Sequence, residues 1–104
     1  MIRLPEPLTF EWDVGNQDKN WLKHGVSNAE AEEVFFDTHK LVAKDVVHSG
    51  DGEDRYLVLG RTAEGRLFSV IFTVRSNEVR VISARDMSKK ERPLYEEGNP
   101  TPEV

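Results

Sequence analysis

RYLVLGRTAEGRLFSVIFTVRSNEVRVISA, residues 55–84, is the stretch on which the fold turns. Three runs rich in Val, Ile, Leu and Phe, at Arg55 to Thr62, Arg66 to Val74 and Val79 to Ala84, are separated by AEG and RSNE. Connections this short, between runs that alternate apolar and polar, predict an antiparallel meander. A further strand, Leu41 to Val47, precedes it across the loop HSGDGED.

Working outward, LTFEW at 8–12 reads as a first short strand. Asp13 offers a cap for a helix through NQDKNWLKH, with Trp21 and Leu22 as its apolar contacts and Gly25 as its C′ residue. Lys23 and His24 fall in its last turn, where positive charge suits the helix dipole. Ser27 and Glu30 form a capping box for a second helix, whose buried side is marked by Ala29, Ala31, Val34 and Phe35. Ser88 and Glu91 form another, opening a last helix with Leu94 and Tyr95. Pro93 would remove a helical hydrogen bond at the fifth position, so a kink or a late start is expected. The order β-α-α-β-β-β-β-α predicts an α+β domain over residues 1–98, with helices on one face of an antiparallel sheet and a flexible tail at 99–104.

Composition narrows the function. The 104 residues contain no cysteine, which removes disulfides, thiolate nucleophiles and Cys-type metal sites. The apolar runs are too short to span a membrane and the N-terminus lacks a signal-peptide core, so a cytoplasmic protein is expected. A net charge of −5 argues against a polyanion partner until it is divided. Residues 1–54 hold five basic and twelve acidic side chains, whereas 55–92 hold nine basic and four acidic. The basic half coincides with the predicted sheet.

Arg55, Arg61, Arg66, Arg75, Arg80 and Arg85 lie in or beside that sheet, with no lysine among them. Guanidinium binds two phosphate oxygens at once, although strand arginines also simply lie along a solvated face. Alternation puts Arg55 and Arg61 with Leu57 and Leu59, and Arg80 with Ile82 and Ala84. Arg85 falls opposite unless the strand ends or bulges. His24 and Glu53 are the acid–base candidates, while His39 and His48 read as surface residues. No histidine pair has metal-ligand spacing and no motif calls for a cofactor. Such a set suits metal-free phosphodiester cleavage, and equally simple anion binding.

FEWD at 10–13, KHGVS at 23–27, AEEVFFD at 31–37, EDR at 53–55, GRT at 60–62, RVISAR at 80–85 and ER…LYEE at 91–97 occur in register. Together, over residues 9 to 98, they resemble the BrnT family, ribonuclease toxins of BrnT/BrnA type II toxin–antitoxin systems. Pro93 and an alanine-poor first helix depart from its usual pattern. The resemblance implies a RelE-like fold, RNA cleavage without a metal, and neutralisation by a BrnA-type ribbon-helix-helix antitoxin. It further implies two toxins on an antitoxin dimer, and repression of the operon through DNA bound by the antitoxin. The family positions matched are Lys23, His24, Glu53, Arg55, Arg61, Arg80 and Arg85.

RNA supplies its own nucleophile, so an enzyme must take the 2′-OH proton, stabilise the phosphorane and protonate the 5′-oxygen. The expectation is Glu53 or His24 as base, His24 as the preferred acid, and Arg55, Arg80 and Arg85 on the phosphorane. Lys23 and Arg61 would hold flanking phosphates. The alternative is a non-catalytic module whose basic sheet binds antitoxin or DNA, or a degenerate toxin.

Overall fold

The computed structural model describes residues 3–45 and 53–98. Val46 and Val47 of the predicted strand, His48, the start of the following loop and the expected tail lie outside the described residues. β1 (Leu41–Lys44), β2 (Tyr56–Arg61), β3 (Leu67–Arg75) and β4 (Glu78–Asp86) pair antiparallel, in that spatial order. Ser76 and Asn77 turn between the last two at φ 49° and 63°, the positive values that a two-residue hairpin loop of this twist requires. At the preceding hairpin Gly65 takes φ 92°, which allows the Thr62 N–H to reach the Arg66 carbonyl at 2.9 Å.

The α+β class is as expected. Helices α1 (Lys19–His24) and α2 (Asn28–Val34) cover one face. There Val26, Ala31, Val34 and Phe35 join Val58, Phe68, Val70, Phe72, Val79, Val81 and Ala84 in the main core. Phe35 meets Phe72 edge-on, with ring centroids 4.9 Å apart. Gly60 lies where α2 crosses β2, and a Cβ there would stand 2.5 Å from Val34 Cγ1 and 2.9 Å from its carbonyl oxygen.

Placement of the third helix, α3 (Glu91–Gly98), corrects the one-face expectation. Tyr95 and Met87 pack with Leu41, Leu57, Leu59 and Leu67, residues that alternate with the core-facing ones and so lie on the opposite face. Because β2 is apolar on both sides, each face needs cover. Ser88 and Glu91 form both capping-box hydrogen bonds, at 3.2 and 2.8 Å. The helix starts at Glu91, which leaves Pro93 in its first turn, where no internal N–H bond is lost. This is the late start.

Two other readings are corrected. LTFEW forms no strand of its own but a single parallel bridge, Phe10 with Val79, held by Glu11 N–H to Val79 O and Val79 N–H to Thr9 O, both 2.8 Å. Asp13 closes a turn onto the Gly15 N–H at 2.8 Å, and α1 begins only at Lys19, after Asp18 at φ 59°. Its Gly25 cap is as expected, at φ 67°. The inward side of this segment is polar: Asn16 and Asn20 are 4% and 3% exposed, against 58% for Trp21 and 84% for Leu22. The cause is the edge of β4. Asn20 Oδ1 accepts the Ala84 N–H at 2.9 Å and Asn16 Nδ2 donates to the Val81 carbonyl at 3.1 Å, satisfying backbone groups that no strand pairs. In α2 the capping box forms through Ser27 and Glu30, but Ala29 is exposed.

Candidate functional site

The register of β3 with β4 slips once. Ile71 pairs with Ser83 but Phe72 with Val81, so Ile82 is an extra residue. This bulge keeps Val79, Val81 and Ala84 all in the core. It also puts Arg80, opposite Thr73, on the same face as Arg85, opposite Ser69. Plain alternation separates the two arginines and places Arg80 with Ala84; the bulge overturns both. Leu57 and Leu59 share this second face, and alternation along the chain assigns Arg55 and Arg61 to it as well.

On that face the arginines are distributed among carboxylates. Glu53 accepts from Arg75 at 2.7 Å (Nε) and 2.6 Å (Nη2), with Arg55 Nη2 3.7 Å away. Glu53 and Arg75 line an open cleft of about 410 Å³ with Arg3, Asp54, Tyr56, Thr73 and Val74, and Arg55 stands beside it through Glu53. Thr73 is fixed by donating to the Asp54 carbonyl at 2.8 Å. It stands directly across the ladder from Arg80, so Arg80 flanks this end of the sheet.

Arg80 itself is largely buried. Its Nη1 donates to Glu11 and to Asp13 at 2.7 Å each, and its Nη2 to Asp13 at 3.0 Å. The hydrogen bonds from Arg80 hold the Asp13 carboxyl down at about 2, and the guanidinium is pushed further up in turn. Arg85 makes the equivalent fork with Glu91, at 2.7 and 3.0 Å. Partial burial would raise the Glu91 carboxyl, but the Arg85 hydrogen bonds and the Ser88 N–H outweigh it and bring it to about 2. These two arginines brace the N-terminal segment and α3.

His24 ends α1 beside Gly25, whose carbonyl accepts from Arg66 Nη1 at 3.4 Å. Arg66 immediately precedes β3, whereas Glu53 is held by Arg75, its last residue. Nine residues at about 3.3 Å each separate those ends. His24 and Glu53 therefore do not meet at one phosphodiester. Lys23 is exposed at the His24 end.

Arg61 lies at the far end of β2 in a second pocket, with Glu33, Phe36, Asp37, Thr38, His39, Thr62, Ala63 and Tyr95. Asp37 organises it, accepting from Tyr95 Oη at 2.7 Å and from the backbone N–H groups of Arg61 and His39 at 2.9 Å each. Partial burial acts to raise its carboxyl, but these donors lower it overall. Burial, and then the bond to Asp37, push the Tyr95 hydroxyl up to about 12. Sequence reasoning missed Tyr56, Thr73 and the pairing of Arg75 with Glu53. Only Arg75 carried a signal, as one of the six sheet arginines.

The fold and its second face define a small α+β protein that presents guanidinium groups beside a carboxylate at an open cleft, as a protein acting on polyanions would. A family model described as "Ribonuclease toxin, BrnT, of type II toxin-antitoxin system" matches residues 12–91, and the chain belongs to that family. It is thus a ribonuclease toxin, with RNA as substrate and an antitoxin as partner. A comparison with curated proteins finds no match. Among the described residues no helix is long and apolar enough to cross a membrane.

Proposed function

We propose that the toxin cleaves RNA by 2′-OH attack without a metal, at the cleft around Glu53. The observation that carries this reading is the position of Glu53 between Arg75 and Arg55 at an open cleft. An incoming phosphodiester competes with the carboxylate for the two guanidinium groups. Glu53, released in part, takes the 2′-OH proton, and Arg55 and Arg75 stabilise the charge that builds on the phosphorane. A water gives its proton to the leaving 5′-oxygen, and the hydroxide so formed takes the proton held on Glu53. Arg80 supports the site from the adjacent strand, Arg85 braces α3, and Lys23 and His24 contact RNA away from the scissile bond.

Removing one pre-organised cation commonly costs about 10²–10³-fold in rate. Arg55→Ala and Glu53→Gln are each expected to lose activity on that scale, measured on purified protein with bulk RNA. His24→Ala is expected to keep most of it, and activity is expected to survive EDTA. Wild-type cleavage by Glu53→Gln, or a loss confined to His24→Ala, would overturn the assignment.

The neutralising partner in this reading is a BrnA-type ribbon-helix-helix antitoxin. Its dimer binds two toxins and carries the complex to operator DNA. Growth arrest on expression, relieved by a neighbouring ribbon-helix-helix gene, tests that part. A second reading, a binding module without turnover, draws on the carboxylate pairing of Arg66, Arg75, Arg80 and Arg85. Intact RNA under all conditions would favour it.

A further inference from the structure

The pocket at the end of β2 combines three features that occur together nowhere else among the described sites. Arg61 is exposed, and among the described residues its guanidinium makes no ion pair, unlike those of Arg55, Arg66, Arg75, Arg80 and Arg85. Its backbone is nevertheless anchored, because the Arg61 N–H is held by Asp37, which also holds the His39 N–H and Tyr95 Oη. Phe36 lines the same pocket and is 62% exposed, with its ring only tilted against Phe10 at 6.3 Å. A cation on an anchored backbone and an open aromatic ring, lining one recess of about 430 Å³, form the combination that takes one unit of single-stranded nucleic acid.

We infer that this pocket is a nucleotide-binding subsite for single-stranded RNA. Arg61 and the His39 ring engage a backbone phosphate, and an unstacked base lies against Phe36. Asp37 and Tyr95 position these groups without touching the ligand. The inference rests on RNA being the substrate, and it adds a subsite separate from the Glu53 cleft. Arg61 and Arg55 stand at opposite ends of β2, whose six residues span roughly 20 Å. A bound strand would therefore reach from the subsite to the cleft over a few nucleotides. His39, read from sequence as a surface residue, acquires a role here.

The test is equilibrium binding of a short 2′-O-methyl oligoribonucleotide, which cannot be cleaved by 2′-OH attack, followed by fluorescence anisotropy across a salt series. Arg61→Ala is expected to weaken binding about tenfold or more and to reduce the salt slope by about 1. Phe36→Leu keeps an apolar side chain but no ring, and is expected to weaken binding roughly 5- to 100-fold with little change in salt slope. Lys89→Ala, an exposed cation elsewhere, is expected to bind as wild type. Thermal unfolding of each variant reports whether the fold is retained, and His39→Ala supplies a third variant that leaves Phe36 and Arg61 in place.

Wild-type affinity in both Arg61→Ala and Phe36→Leu would overturn the subsite. So would no binding by the parent protein, or an equal loss in Lys89→Ala, which would indicate generic charge attraction. The ribonuclease assignment fails separately. Weak binding in these variants, combined with undiminished cleavage by Glu53→Gln, would sink the cleft mechanism and leave the subsite standing.

Discussion

Glu91 does three jobs with one carboxylate: it closes the capping box of α3, takes both arms of Arg85, and accepts from Ser69 Oγ at 3.2 Å. Burial resists the charge, yet the Arg85 hydrogen bonds bring the carboxyl from its ordinary 4.5 to about 2. A group lowered in the folded state stabilises above its unfolded value and loses that stabilisation as pH falls through its folded value. Stability contributed by Glu91 is therefore complete above about 4.5 and disappears toward 2. A Glu91→Gln variant is expected to be less stable at neutral pH and to show a shallower fall in Tm between those values. At Gly60 the constraint is steric, because Val34 leaves no room for a Cβ. Gly60→Ala should cost about 1–3 kcal/mol by urea unfolding, as overpacked cores do. The Ser27–Glu30 and Ser88–Glu91 boxes were legible in the sequence because capping is local. The need for glycine at 60 was not, since the helix that crowds it arrives from elsewhere in the chain.

Among the elements, β4 shows how one inserted residue redirects a strand. Ile82 has no partner of its own, and its exclusion from the ladder lets Val79, Val81 and Ala84 share one face while Arg80 and Arg85 share the other. Deleting Ile82 would remove the bulge and leave Val79, Val81 and Ala84 at alternate positions of a regular strand, with Arg80 and Arg85 still on the other face. The expected result is a deletion variant that still folds cooperatively, checked by circular dichroism and thermal unfolding; loss of cooperative folding would refute the reading of Ile82 as the one residue outside the ladder. The meander itself could be read from alternation and from the AEG and RSNE turns. The bulge could not, because no residue type announces it. Helix α1 misled for a related reason. Its inward side is built from Asn16 and Asn20 to satisfy the edge of β4, so Trp21 and Leu22 are left exposed.

Across the whole molecule, charge is organised by contacts remote in sequence. Arg80 is bound by Glu11 and Asp13, 69 and 67 residues away, so the acidic N-terminal half is partly spent on the basic sheet. Arg80→Ala is expected to loosen residues 9–17 before it unfolds the sheet. Limited proteolysis should find new early cleavage there, with β3 and β4 still protected. Unchanged digestion would mean that the Phe10–Val79 bridge and the packing of Phe10 hold the segment unaided. The same pairing bears on activity. Guanidinium groups already engaged by carboxylates admit a phosphate only by exchange, whereas Arg61 is open to it.

By itself the sequence determined the meander, its turns, both capping boxes and the family, and narrowed Pro93 to a kink or a late start of α3. Each of these depends on residues within about a turn or a hairpin of one another, or on motifs kept in register. Tertiary structure alone decided that α3 lies across the sheet from α1 and α2, and that His24 and Glu53 stand at opposite ends of β3. It likewise decided which of the sheet arginines hold carboxylates, Arg61 making no ion pair among the described residues. Those outcomes depend on the bulge at Ile82 and on ion pairs closed across the fold. Spacing along the chain carries no information about such contacts, because each is made only when distant segments pack.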